Sequence, residues 1–284
     1  MENVIIPDLA KFEKLRKIFI GQGAQNLHVL TDFDRTLTKA YVAGQESSTS
    51  FAQIRNGGYL GTDYVTKTKD LFLKYNPIEI DSELSRDERA PFMMKWWRKH
   101  IELLIENGFN KDIITEIVRA SKDIEFRSGA LDFLRMLHKK SVPTVIMSAG
   151  LGDMILENLR MKDSLHDNVY LISNLFEFDA KGRALEIREP VIHSMKKHEI
   201  TVPGFPVFEK IKDRKNVLLI GDTLEDVGMI DGFPFVNMIK VGFFNGDSSA
   251  SDGADLEEFK KNFDVIILND GPMDFVLELC REII

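Results

Sequence analysis

Five short β-rich apolar runs punctuate this 284-residue chain: "LHVLTDF" from Leu27, "PTVIMS" from Pro143, "NVLLIGD" from Asn216, "MIKVGFF" from Met238 and "DVIIL" from Asp264. Each is too short for a stable helix, and several lead into helical patterns, such as "DMILENLRMK" from Asp153 and "LEDVGMI" from Leu224. Apolar strands alternating with helices imply parallel strands joined by crossover helices, an open α/β sheet. The interval from about Gln45 to Ile124 differs. It reads almost wholly helical, including "DERAPFMMKWWRKHIELLIENG", with Gly108 placed as a C-cap. The expectation is an α/β domain over residues 1–44 and 125–284, with a helical cap inserted at 45–124. "FEFDAKGRALEIR" reads as a hairpin turning at "DAKG".

Composition narrows the function classes. A net charge of −8 with 44% hydrophobic residues leaves no basic face for a long polyanion, although a small anion in a local pocket fits. Cys280 is the only cysteine, which excludes an intrachain disulfide and a cysteine-based zinc site and suits a reducing compartment, by default the cytoplasm. The N-terminal segment reads as an amphipathic helix through Leu9, Phe12, Leu15, Ile18 and Phe19; no run has the length of a signal peptide or a membrane span. "GQGAQN" at Gly21 precedes a strand where a dinucleotide fingerprint would follow one, so it reads as a turn. "NGDSSASDGAD", Asn245 to Asp255, reads as a polar loop.

In an open α/β sheet, ligands bind beyond the carboxyl ends of the strands. The first run ends there in Asp32, Phe33 and Asp34, then Thr36; the second in Ser148, Ala149 and Gly150; the third in Gly221 and Asp222, with Asp226 a turn further on. Like charges held close are costly, so such a cluster calls for a cation or a reaction. The set suits Mg²⁺, a hard cation that takes few carboxylates. A calcium loop is excluded, because its sixth position is Leu37 instead of glycine and its twelfth is Ala43 instead of glutamate.

The same residues can run phosphoryl transfer through a covalent intermediate. Asp32 is then the nucleophile, and Asp34 carries the proton to the leaving oxygen, its pKa raised by its neighbour's charge. Ser148 and the amides after it hold the phosphoryl group together with a lysine, and Asp222 completes the metal site with Asp32. Asp226 either accepts a nearby hydrogen bond or orients a metal-bound water. Phe92, Met93, Trp96 and Trp97 have the spacing of a core stripe, which leaves core and ligand platform both open. His28 and His193 read as structural.

"DFDRT", "SAG" and "GDTLED", in that order, resemble three motifs of the haloacid dehalogenase (HAD) superfamily, and the helical insertion resembles its cap on a Rossmann-like core. "PFMMKWWRK", "IMSAGLGDMILENLR", "ISNLFEFDAKG" and "HSMKKHE" narrow the resemblance to the pyrimidine 5′-nucleotidase branch, also called the cytosolic 5′-nucleotidase III family, from about Leu27 to Leu268. The stretch from Ala40 to Tyr64 lacks the Cys-Pro-containing pattern of animal members.

The resemblance implies an Mg²⁺-dependent hydrolysis of nucleoside 5′-monophosphates to nucleoside and phosphate, pyrimidine type first, with a methylated purine that would also stack on tryptophan left open. It identifies Lys197 as the phosphate-binding lysine, within Lys196, Lys197, His198 and Glu199. It makes the backbone carbonyl of Asp34 a metal ligand, Glu79 a base-recognising acid and Trp96 a ring that stacks on the base. Two alternatives stand beside it: a phosphatase for another small ester such as phosphoserine, and a regulatory or binding protein without turnover.

Overall fold

All five apolar runs become strands of one sheet in the computed structural model, which describes residues 3–81, 83–122, 124–197, 205–246 and 253–284. Across the sheet the order is β1 (Val4–Ile5), β11 (Val265–Leu268), β10 (Asn237–Phe244), β9 (Asn216–Gly221), β2 (Leu27–Thr31), β5 (Thr144–Leu151) and β6 (Val169–Asn174). β1 pairs antiparallel to β11, and every other pairing is parallel. Every residue of β2 and β9 is buried. Strands covered on both faces need no polar alternation, which explains their continuous apolar runs.

Two clusters cover the two faces. On one, Val29, Ile146 and Leu218 meet Phe12 and Phe19 of α1 (Leu9–Gln22), Leu134 and Leu137 of α6 (Ala130–Lys139) and Val276 of α10 (Asp274–Ile283). The other packs Leu30, Val145 and Leu219 against Ile211 of α8 (Phe208–Ile211), Phe259 of α9 (Gly253–Asn262) and Met229. α1 starts where Asp8 accepts the Lys11 amide at 2.9 Å, an N-cap that satisfies one of the helix's orphan donors.

Between β2 and β5 come a two-stranded antiparallel ribbon, β3 (Tyr41–Val42) and β4 (Gln45–Glu46), and then helices that form a third cluster. α2 (Ser50–Gly57), α3 (Gly61–Glu79), α4 (Arg86–Glu106) and α5 (Lys111–Ala120) bury Ile54, Tyr64, Ile101, Leu104, Ile114 and Ile117 together. Leu151 at the end of β5 and Met154 of α7 (Gly152–Met161) join them and tie this layer to the sheet. α4 opens on a capping box between Ser85 and Glu88, and Gly108 follows its C-cap at φ +75°, a backbone state that favours glycine. The hairpin β7 (Phe176–Phe178) and β8 (Ala184–Ile187) lies outside 45–124 in sequence, yet Phe176 and Ala184 belong to the helical cluster. Its backbone is bonded there too, from Ala184 N–H to the Phe109 carbonyl and from Lys111 N–H to that of Gly182.

Leu224–Ile230 differs from the expected α-helix by being a 3-10 helix. Asp226 folds back onto Thr223 in a capping box, which tightens the first turn. In chain order the parallel strands run outward from β2 to β5 and β6, then restart on the other side with β9, β10 and β11. The order therefore reverses between β2 and β9, and a crevice opens at such a switch point.

Candidate active site

β2 and β9 pair through Thr31 and Ile220, and a bond of 2.9 Å from Asp32 N–H to the Ile220 carbonyl extends the pairing past the strand end. Asp32 and Asp222 are thereby delivered to the switch point. With Asp226 they form a cluster whose oxygens lie within 4.8 Å of one another. Lys197 Nζ enters it, donating to Asp32 Oδ1 at 2.5 Å and to Asp226 Oδ1 at 2.7 Å. The other oxygen of Asp226 accepts the Asp222 and Thr223 amides and the Thr223 hydroxyl. Both oxygens of this fully buried acid are therefore engaged. A Cβ on Gly221 would lie 2.4 Å from the Asp226 Cβ, so a larger residue there would displace the acid.

Burial raises the Asp32 carboxyl well above its ordinary value against the pull of Lys197, with Asp226, Asp222 and Asp34 adding to the rise. Asp222 is pushed up to about 7, by burial and then by the charge of Asp226. Asp34 is pushed up to about 6 by burial, while Lys197 and Arg35 pull it down. Desolvation, and not the charge of Asp32, perturbs Asp34, which corrects the expectation from sequence. Burial lowers Lys197, but the charges of Asp226 and Asp32 outweigh it and the net shift is upward. One ammonium among so many desolvated acids leaves negative charge uncompensated, and an all-oxygen donor set of this kind fits a hard divalent cation.

The loop after β2 is held from behind. Arg35 has φ +60°, and its carbonyl and that of Thr36 accept from Arg127, as does the Gly271 carbonyl. Arg127 is 1% exposed, pairs with Asp270 at 2.9 Å and lies 3.9 Å from the centre of the Phe243 ring. The Thr36 hydroxyl reaches Asp222 at 3.3 Å.

On the other side of β2, regular pairing in β5 ends at Met147. Ser148 Oγ accepts the Gly150 amide at 3.0 Å, and Ser50 Oγ accepts that of Leu151 at 2.9 Å. The Ala149 carbonyl is held at 2.8 Å by both the Trp97 indole N–H and the Asn174 amide, which also reaches the Gly150 carbonyl at 3.1 Å.

A cavity of about 810 Å³ opens over this floor. Asp32, Asp34, Ser148, Ala149, Gly150, Lys197 and Asp222 line it from below, and Glu79, Trp96, Trp97, Phe51, Phe72 and His100 from α2, α3 and α4. Trp96 is 7% exposed and stacks on Tyr75 at 6.0 Å and 16°, so it is both a core residue and a wall of the cavity. Glu79 accepts the Ser194 hydroxyl at 2.6 Å, and burial raises its carboxyl. His28 is buried against Phe233, and burial lowers its pKa to about 3. His193 is buried beside the Trp97 ring. His198 and Glu199, and positions 247–252 of the polar loop, lie outside the described residues.

Every sequence-predicted site residue thus falls in one region: all line the cavity except Asp226, which lies beneath its floor. Arg55, Arg127, Phe51, Phe72 and His100 carried no local signal. Arg35, inside "DFDRT", and Asn174, where "VYLISN" ends, stand at strand termini and were open to inspection in the sequence.

Solved structures extend this picture. The crystal structure of cytosolic 5′-nucleotidase IIIB bound to cytidine is similar with a TM-score of 0.90 and 26% identity, over 100% of this chain and 94% of that one. A HAD family hydrolase from Salmonella enterica serovar Typhi shares the fold, with a TM-score of 0.55 and 14% identity over 96% and 81% of the two chains. The molecule is an α/β hydrolase of the HAD fold. The family model for pyrimidine 5′-nucleotidase (UMPH-1) matches residues 35–284. The chain belongs to that family, and it is an enzyme of the 5′-nucleotidase class. A 7-methylguanosine phosphate-specific 5′-nucleotidase of Gallus gallus is 34% identical over 264 residues, 93% of this chain and 90% of that protein. A Caenorhabditis elegans relative whose name contains the words cytosolic 5′-nucleotidase 3 is 34% identical over 279 residues, 96% of this chain and 73% of that one.

Proposed function

We propose that the protein is an Mg²⁺-dependent phosphatase hydrolysing nucleoside 5′-monophosphates, pyrimidine type, to nucleoside and phosphate through an aspartyl-phosphate on Asp32. One observation carries this reading: a single cavity joins the acid and lysine cluster at the ends of β2 and β9 to an aromatic wall from α2, α3 and α4. The first half suits a phosphoryl group and the second a planar base. In this reading residues 45–124 form the cap that contacts the base, and residues 1–44 and 125–284 carry the chemistry. The cytosol is the proposed location, on the single buried cysteine and the name of the worm relative. Among the described residues no helix is long and apolar enough to cross a membrane.

Asp32 and Asp222, with the Asp34 backbone carbonyl, would hold Mg²⁺, which when bound offsets charge on the phosphoryl oxygens. Asp226 keeps Lys197 and the 3-10 helix in place. The Asp32 carboxylate attacks phosphorus as the bond to the 5′-oxygen breaks, and protonated Asp34 gives that oxygen its proton. Asp34 then takes a proton from the water that attacks the acyl phosphate, releasing phosphate and regenerating Asp32. Ser148 Oγ is held by the Gly150 amide, so its hydroxyl proton is free for a phosphoryl oxygen. Lys197 and the amide of Ala149 add to that grip.

A second reading of the base is 7-methylguanine. The names of the vertebrate relatives favour it, and so does an indole face at Trp96 that would attract a cationic ring.

Phosphate release from CMP, UMP, 7-methyl-GMP and phosphoserine, with Mg²⁺ and with chelator, tests the function. The expected result is turnover of nucleotides at least about a hundredfold above phosphoserine, lost with chelator. A preference for phosphoserine, or release undiminished by chelator, overturns it; no release from any ester supports the regulatory alternative. Replacing Asp34 by asparagine tests the proton's path. It should slow nucleotide hydrolysis by about 10²–10⁴-fold. In single-turnover release of the leaving group, an aryl phosphate whose leaving group needs no proton should be slowed far less, and equal losses on both in that first step would remove Asp34 from the role of acid.

A further inference from the structure

The proposed nucleotide site carries a charge that the reading above leaves unused. Three arginines line the cavity, Arg35, Arg55 and Arg89. Arg35 pairs with Glu46 at 2.7 Å, and Arg89 donates to the Glu79 carbonyl at 2.7 Å. Arg55, on α2, has neither kind of partner among the described residues: its guanidinium lies 4.3 Å from the centre of the Phe72 ring. It is half-buried, and burial lowers its pKa while leaving it charged at neutral pH.

The groups around Arg55 cannot neutralise it. Phe72 is a hydrocarbon ring, and the Tyr64 hydroxyl is held un-ionised by burial, its pKa pushed well above the ordinary value. His100 is kept neutral by burial, with Arg55 itself lowering its pKa further. The Tyr64 hydroxyl lies 2.8 Å from His100 Nε2. The two groups bond to each other, and neither is an anion. This wall therefore offers donors and one uncompensated positive charge. Glu79, in the same cavity, is already met by Ser194 and by the charge of Arg89. A ligand that satisfies the Arg55 wall must bring an acceptor oxygen, and a ligand that brings a second cation is repelled.

We infer that Arg55 selects the base: it donates to a carbonyl oxygen of a neutral base such as cytosine or uracil and disfavours a base bearing a positive charge, as the N7-methylated ring of 7-methylguanosine does. This rests on the proposed nucleotide reading of the cavity and decides between its two bases. The stacking ring at Trp96 accepts either; the unpaired guanidinium does not.

The test is calorimetric binding of cytidine, uridine and 7-methylguanosine to the full chain and to the variants Arg55→Met and Arg55→Gln. Methionine keeps an apolar stem against Phe72 and removes both charge and donors; glutamine removes the charge and keeps a donor. The wild-type chain should bind the pyrimidine nucleosides more tightly than 7-methylguanosine. The ratio of Kd for 7-methylguanosine to Kd for cytidine should fall about tenfold in Arg55→Met. In Arg55→Gln it should fall mainly through tighter 7-methylguanosine binding. A ratio that changes by less than about threefold in both variants, or a wild-type preference for 7-methylguanosine, overturns the inference. Nucleosides carry no phosphate, so this outcome is separate from the phosphatase assay: absent phosphate release overturns the proposed activity, and an unmoved nucleoside ratio overturns the role of Arg55.

Discussion

Asp32→Asn is expected to cut phosphate release from nucleotides by at least about 10⁴-fold, because an amide cannot form the acyl phosphate. The variant should nevertheless fold with a melting temperature no lower than that of the parent. Burial raises the Asp32 carboxyl well above its ordinary value, so its ionised form opposes folding. Asparagine removes that buried charge and keeps an oxygen for the Lys197 ammonium. Asp34 and Asp222 follow the same sign: their folded values of about 6 and about 7 lie above the ordinary carboxyl value of about 4. The folded chain holds these protons more tightly than the unfolded one. Stability is therefore fully present below about pH 4 as far as these groups are concerned, and it is lost as pH rises through about 6 and 7. The upward shift of Lys197 acts only at far higher pH and leaves this window alone. Thermal melts at pH 5 and pH 8 should show a lower melting temperature at pH 8 in chelator, recovered by Mg²⁺. Residual activity within about a hundredfold of the parent would remove Asp32 as the nucleophile.

Arg127→Met should destabilise the chain by about 3–5 kcal/mol, the usual cost of removing one partner from a buried ion pair. Asp270 would lose its cation, though the amides of Ala40 and Tyr41 would still reach it. The carbonyls of Arg35, Thr36 and Gly271 would each lose a charge-assisted donor. Burial lowers the pKa of Arg127 to about 10, yet it remains charged at neutral pH, where these bonds need it. Activity should fall further than stability alone explains, because two of the carbonyls it grips, those of Arg35 and Thr36, follow directly on Asp34. Denaturant midpoints with kcat/KM on the folded variant measure both, and a loss below about 1 kcal/mol would contradict the account.

Arg127 also shows where sequence reasoning stops. Its partners Thr36 and Gly271 lie 91 and 144 positions away, and nothing in the surrounding "EFRSGALDF" separates it from a solvated arginine. The acids were legible for the opposite reason. Asp32, Asp34 and Asp222 directly follow apolar runs, and the end of a buried strand in an α/β sheet is a position with a known address. Lys197 falls between the cases: spacing did not single it out, the resemblance did, and the fold sets it between Asp32, 165 positions away, and Asp226.

Local pattern was thus enough for the strands, the helical interval after the first of them, the hairpin and the acids at the sheet's carboxyl edge. Such features depend on residues within about a turn or a strand length of one another. Only the folded chain could say that Lys197 spans Asp32 and Asp226, that desolvation and not a neighbouring charge lifts Asp34, and that Arg55 lines the cavity with no ion pair or hydrogen bond among the described residues. Those outcomes turn on burial and on distances through space, and the order of residues along a chain carries neither.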